Sequence, residues 1–160
     1  MNTSQKIVFV IISIVFSLNV GCAKPVVVEG TAMSPTLKNG DKILLNQNIE
    51  NLQRGDIISF KYPKDTNKWF IKRIIGMPNE EIEIKNGIVF INGEEINEPY
   101  LERTYNQAFP NYQKSKIPEN EYFVMGDNRD NSSDSRIWGT VNKGLITGKF
   151  WMTYSQKEKK

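Results

Sequence analysis

An all-β domain, mainly of antiparallel sheets and partly closed like a barrel, behind one N-terminal hydrophobic helix, is the fold class this sequence predicts. Three observations predict it. Beyond Lys24 the chain runs in short stretches rich in Val, Ile, Phe and Tyr, broken by Gly, Asn and Pro, with almost no helical periodicity. The pairs Asn86-Gly87 and Asn92-Gly93 fall between such stretches, and Asn-Gly tolerates the positive φ that tight hairpins need. The one long apolar run is confined to residues 7–20.

That run comes first. It follows a polar start carrying Lys6 and is short of the roughly 20 residues of a spanning helix, although Gly21-Cys22-Ala23 can extend it. Residues 1–24 read as an uncleaved membrane anchor, or as a signal segment with Cys22 at its processing site. Against the second reading, Asn19 stands where lipoprotein signals usually carry Leu. Both readings place a domain of residues 25–160 on the outer surface of a cell membrane, and the anchor reading puts it behind a single span. Lys6 and Lys24 flank the run symmetrically, so charge alone barely sets its orientation.

The strands then follow at 26–29, 41–45, 56–61, 70–75, 81–84, 88–91, 122–125 and 148–154. Residues 81–96, with their two Asn-Gly turns, form a meander. Lys38-Asn39-Gly40-Asp41 and Arg54-Gly55-Asp56 are turns entering strands. Residues 100–118 are polar and aromatic without a period, which suits a long excursion or flap.

Composition removes several kinds of chemistry. With 160 residues, 39% of them hydrophobic and 24% charged, the chain has the make-up of one globular domain. It has no histidine, which excludes Ser-His-Asp and Cys-His hydrolases and most zinc sites. Cys22 is the only cysteine, so no intramolecular disulfide or cysteine-rich metal cluster can form. No metal or other cofactor is expected. The net charge of +3 comes without a basic stripe interleaved with aromatics, which argues against nucleic acid. Acid–base chemistry is left to carboxylates, Lys and Tyr.

Three stretches carry chemistry. Residues 29–37 read Glu-Gly-Thr-Ala-Met-Ser-Pro-Thr-Leu, too unusual for a plain turn. Lys72 sits among Trp69, Phe70, Ile71, Ile74 and Ile75. Most lysines in such strands reach solvent; if desolvated, Lys72 becomes a usable general base near neutral pH. Residues 127–136 consist only of Asp, Asn, Ser and Arg, a pattern suited to a buried network in which each carboxylate meets a guanidinium fork. A solvated loop or a calcium loop would be the plainer accounts of that stretch. The second lacks the bidentate Glu of an EF-hand, and two Arg intrude.

These segments resemble the type I signal peptidase family, membrane-bound serine proteases with a Ser/Lys dyad. Gly30 to Leu37 is similar to the family's nucleophile box, and Arg54-Gly55-Asp56-Ile57-Ile58-Ser59-Phe60 to the strand motif after it. Ile71-Lys72-Arg73-Ile74-Ile75-Gly76-Met77-Pro78 is similar to the box of the general base. Gly126-Asp127-Asn128-Arg129-Asp130-Asn131-Ser132, with Asp134-Ser135-Arg136 and Trp138-Gly139, is similar to the last box, the most specific of the four. The resemblance implies an endopeptidase that removes signal peptides from exported precursors after small residues, in an Ala-x-Ala pattern. It makes Lys72 the general base and Ser132 the group that orients it. Asp134 and Arg136 would hold the last box by a salt bridge, with Asp127 in the same support. Val26 and Val28 on one side, and Trp69 and Ile71 on the other, would wall a groove that takes the substrate as an added strand, with Met33 packed beneath the nucleophile.

One position departs from the pattern. The family places Ser immediately before the Met, and here Ala32 stands there. A methyl group cannot attack a carbonyl, so the acyl-enzyme route is closed at this residue. Three accounts stay open: an inactive relative that binds precursors without turnover, a neighbour acting as nucleophile, or a serine replaced on purpose to trap a substrate. Of the neighbours, Ser34 shares a face with residue 32 if the backbone is extended, and Thr31 does not.

Overall fold

The computed structural model describes residues 23–108 and 110–155. Among the described residues eleven strands form two sheets: β1 Ala23–Val27, β2 Lys42–Asn46, β3 Ile57–Tyr62, β4 Asp65–Gly76, β5 Glu81–Lys85, β6 Ile88–Ile91, β7 Glu94–Glu95, β8 Tyr112–Lys116, β9 Glu121–Met125, β10 Val141–Asn142 and β11 Ile146–Ser155. The larger sheet has the order β1-β2-β11-β3-β4-β9-β10 and the smaller β7-β6-β5-β8; every pairing is antiparallel.

The predicted all-β class and the eight strand positions hold, with ends moved by at most five residues. The barrel does not. Each sheet is open, and the larger ends in β1 on one side and the two-residue β10 on the other. The predicted N-terminal helix lies outside the described residues apart from Ala23 and Lys24, which belong to β1. Among the described residues no helix is long and apolar enough to cross a membrane.

Local chemistry accounts for the smaller sheet. Asn86 and Gly87 take φ of 49° and 79°, and Asn92 and Gly93 take 53° and 86°, so both Asn-Gly pairs make the sharp turns expected of them. On the two strands that the first turn joins, Ile82, Ile84, Val89 and Ile91 point inward and are buried, while their neighbours are more exposed. With Ile75, Ile117, Phe123 and Met125 they form one core. The stretch at 100–118 is not a free flap: its residues Tyr112–Lys116 are β8, paired with β5.

The larger sheet covers two further cores. One gathers Ile58, Phe60, Ile74, Val124 and Trp138. The other lies beneath residues 29–37 and contains Val28, Met33, Leu37, Ile43, Leu45 and Ile57. Strand β3 is buried at residues 57–60 and β4 at residues 72–76, the stretch in which both are mostly apolar. They fix Lys72 opposite Ile58 and Arg73 opposite Ile57 in a rigid, paired backbone.

Candidate active site

Residues 30–37 fold as consecutive turns rather than as extended chain. The Ser34 amide donates to the Thr31 carbonyl at 3.0 Å, and the Leu37 amide to the Met33 carbonyl at 2.9 Å. The alternation that would place Ser34 on one face with residue 32 therefore does not apply. Ser34 is buried, Met33 and Leu37 anchor the turn in the core below, and Ala32 is half-buried at its top.

The last box grips this turn. The Asn128 amide donates to the Ala32 carbonyl at 3.0 Å, and Asn128 Nδ2 donates to the Thr31 carbonyl at 3.2 Å. Asn131 Nδ2 donates to Thr31 Oγ1 at 2.9 Å, and Thr36 Oγ1 donates to Asp127. Gly126 sits so close that a Cβ there would lie 2.4 Å from both the Ala32 carbonyl oxygen and Ser132 Oγ. Gly126→Ala is thus expected to force the box away from position 32 and to destabilise the fold by about 1–3 kcal/mol, the range of overpacking in a close-packed interior. Urea denaturation of the two proteins checks this; an unchanged midpoint would show that the approach is looser than described.

The expectation that each carboxylate of the last box meets a guanidinium fork holds for Asp134 and Asp127 and fails for Asp130. Asp134 does meet Arg136 in a fork, Nε to Oδ1 and Nη2 to Oδ2, each at 2.8 Å. It also accepts from the Gly126 amide at 3.1 Å and caps the one-turn helix α1, Ser135–Trp138. Asp127, fully buried, meets Arg73 from β4 instead, with Nε to Oδ1 at 2.8 Å and Nη2 to Oδ2 at 2.5 Å. Arg129 pairs with Glu98, from the loop after β7. Asp130 meets no guanidinium; it accepts from the backbone amides of Gln107 and Ala108 at 2.7 and 3.0 Å. Residues adjacent in sequence point in different directions around a tight turn, so local pairing was a poor guide.

Lys72 is only 5% exposed. Its ammonium lies 5.2 Å from the Phe70 ring centroid and makes no hydrogen bond or ion pair among the described residues. Burial, and secondarily the Arg136 charge, push it down from 10.5 to about 8, against the opposing pull of Asp134 and Asp127. Ser132 Oγ is buried and has no hydrogen-bond partner among the described residues, so the bond expected between it and Lys72 is not formed here.

Of the predicted groove walls, Val28 is buried in the core below, as is Met33 beneath position 32, and Val26 and Ile71 pack half-buried against it. Trp69 stands apart, 52% exposed, with the Lys24 ammonium 5.9 Å from its ring centroid. Strand β1 carries Val26 and is an unpaired edge of its sheet.

A family model for signal peptidases, peptidase S26, matches residues 1–155. The chain belongs to the signal peptidase family. It is 34% identical over 154 residues to signal peptidase I P of Bacillus subtilis subsp. natto, covering 89% of this chain and 83% of that one. It is 31% identical to signal peptidase IB of Staphylococcus aureus, covering 92% and 86%. Among solved structures, a crystal structure of a signal peptidase I from Enterococcus faecalis V583 matches with a TM-score of 0.55 and 34% identity, over 64% of this chain and 98% of that one.

Sequence reasoning missed four residues that shape this signal peptidase site. Arg73 and Thr36 bind Asp127, and Glu98 and Tyr100 meet from the excursion loop. Arg73 carried a usable signal, because a second cation inside an apolar strand calls for a buried carboxylate. Nothing local marked Glu98.

Proposed function

We propose that this chain is built as a membrane-bound serine endopeptidase acting on signal peptides of exported precursors, cleaving after small residues of the Ala-x-Ala type. The observation that carries the reading is Lys72, a lysine buried in a paired strand without a counter-ion and brought to about 8. A lysine of that kind can hold a neutral amine near physiological pH and take a proton from a hydroxyl. Position 32 is the nucleophile position, Ser132 orients Lys72 by rotating its free Oγ toward the amine, and Asp127, Asp134 and Arg136 hold the box. The substrate strand adds to the outer edge of β1, with Val26 and Val28 on one wall, Ile71 and Trp69 on the other, and Met33 packed beneath the nucleophile position. Residues 1–24 anchor the chain in the bilayer as a single span, with residues 25–160 on the outer side.

Ala32 favours a second reading from a different class: a module that captures precursors by strand addition and does not turn them over. Mass spectrometry of an Ala-x-Ala precursor incubated with this chain, and separately with its Ala32→Ser variant, decides between them. Binding without product in the unmodified chain, and product in the variant, is the expected pair of results. Should the unmodified chain cleave, Ser34→Ala is expected to leave the rate unchanged, because Ser34 is buried in the turn. A silenced Ser34→Ala protein would make Ser34 the substitute nucleophile.

A further inference from the structure

The excursion after β7 is joined to the last box at several points, and the joints lead to Gly126 and Asp127, two of the residues that touch the turn carrying position 32. Glu98 accepts from Arg129 with both oxygens, Nη2 to Oε1 at 2.5 Å and Nη1 to Oε2 at 3.2 Å. Both side chains are almost fully buried, at 8% and 5% exposure. Arg129 Nε then donates to the Gly126 carbonyl at 3.0 Å. Glu98 Oε1 also accepts from the Tyr100 hydroxyl at 2.7 Å. The Tyr100 ring lies 3.9 Å from Arg73 Cζ, and Arg73 holds Asp127 in a fork. Asn106 Oδ1, farther along the loop, accepts from the Arg129 amide at 3.2 Å.

Two arms therefore leave Glu98. One passes through Arg129 to Gly126, which is packed against the Ala32 carbonyl and Ser132 Oγ. The other passes through Tyr100 and Arg73 to Asp127, which receives the Thr36 hydroxyl. Gly126 and Asp127 are adjacent, so both arms set the height and tilt of the same peptide against the turn. We infer that Glu98 and Tyr100 are positioning residues, a brace on the loop after β7 that holds the last box at its catalytic distance from position 32. Neither touches the reacting atoms. The arrangement suits this work. A buried carboxylate with three donors on it is fixed in orientation, and a planar guanidinium cannot satisfy the fork to Glu98 and the Gly126 carbonyl together from a shifted place. Small displacements matter here, since a misplacement of about 1 Å remote from the chemistry can reduce turnover by about 10²-fold.

The inference deepens the protease reading and rests on it for activity alone, so the experiment has one arm that needs no activity. In the full-length chain as it stands, amide hydrogen exchange is followed in Glu98→Gln and Tyr100→Phe. The amides of Gly126 and Asn128, which donate to Asp134 and Ala32, are expected to exchange about tenfold faster, while core amides such as Ile74 keep their protection. A merely structural loss would raise exchange at Ile74 as well. In the Ala32→Ser background the same substitutions are expected to lower kcat by about 10²-fold with KM within about threefold. Tyr100→Phe keeps the ring over Arg73 and the Glu98–Arg129 pair, so it stays informative if Glu98→Gln fails to fold. Unchanged exchange at Gly126 and Asn128 in folded Tyr100→Phe overturns the brace, whatever the activity. An inactive Ala32→Ser protein with faster exchange at both amides leaves the brace standing and defeats the protease reading instead.

Discussion

Ala32→Ser is expected to raise cleavage of an Ala-x-Ala precursor by at least about 10³-fold; removing the serine of a Ser-His-Asp hydrolase loses about 10⁶-fold. The expectation rests on how fully the rest of the site is in place. The carbonyl of residue 32 is fixed by the Asn128 amide, and the residue before it by Asn128 Nδ2 and Asn131 Nδ2. The direction of the Cα–Cβ bond at position 32 is therefore set by its neighbours and not by the missing hydroxyl. Adding one oxygen to a half-buried methyl asks for little new space. Quantified product from purified full-length protein in detergent or vesicles, with and without the substitution, measures the effect. A folded Ala32→Ser protein that yields no product would sink the assignment of Lys72 as a poised base.

Much of this site was legible in the sequence, for reasons that differ from residue to residue. Lys72 stood out because a cation within an apolar strand has few places to go, and the absence of histidine left it without rivals. The Asn-Gly turns were legible because positive φ is a local property of the residue types that adopt it. The Asp134–Arg136 fork was legible through the resemblance of the last box to its family. What failed were inferences that needed the third dimension. The partner of Asp127 is 54 residues away on β4, and that of Arg129 is 31 residues away in a loop without periodicity. The shape of residues 30–37 was open in the sequence because small residues and Pro35 fit either an extended chain or a turn, and the packing of Met33 and Leu37 into the core decides for the turn. The barrel was overestimated for a similar reason: strand counts do not say whether the edges meet.

Lys72 makes the largest pH-dependent prediction. Its amine is held at about 8 in the folded chain, chiefly by burial, against 10.5 for an ordinary lysine. Below about pH 8 both folded and unfolded chains carry the proton, and the folded state bears the whole disadvantage of a buried ammonium. Between about 8 and 10.5 the unfolded chain binds more protons than the folded one, so stability rises with pH; above that window both are neutral and the disadvantage is gone. The separation corresponds to about 3 kcal/mol. Lys72→Met, which keeps the length and apolar character of the side chain, is accordingly expected to stabilise the protein by about 2–3 kcal/mol at pH 7 and by nearly nothing above pH 10.5. Urea denaturation of both proteins across this range isolates the Lys72 contribution, because every other titrating group is common to the pair. The same substitution in Ala32→Ser is expected to abolish cleavage, and with Lys72 present cleavage is expected to climb as pH passes through about 8. A more stable Lys72→Met protein that still cleaves would leave the lysine as a buried burden without a purpose. A more stable protein without cleavage would mean that about 3 kcal/mol of folding stability is given up for a base, even beside a residue that cannot use it.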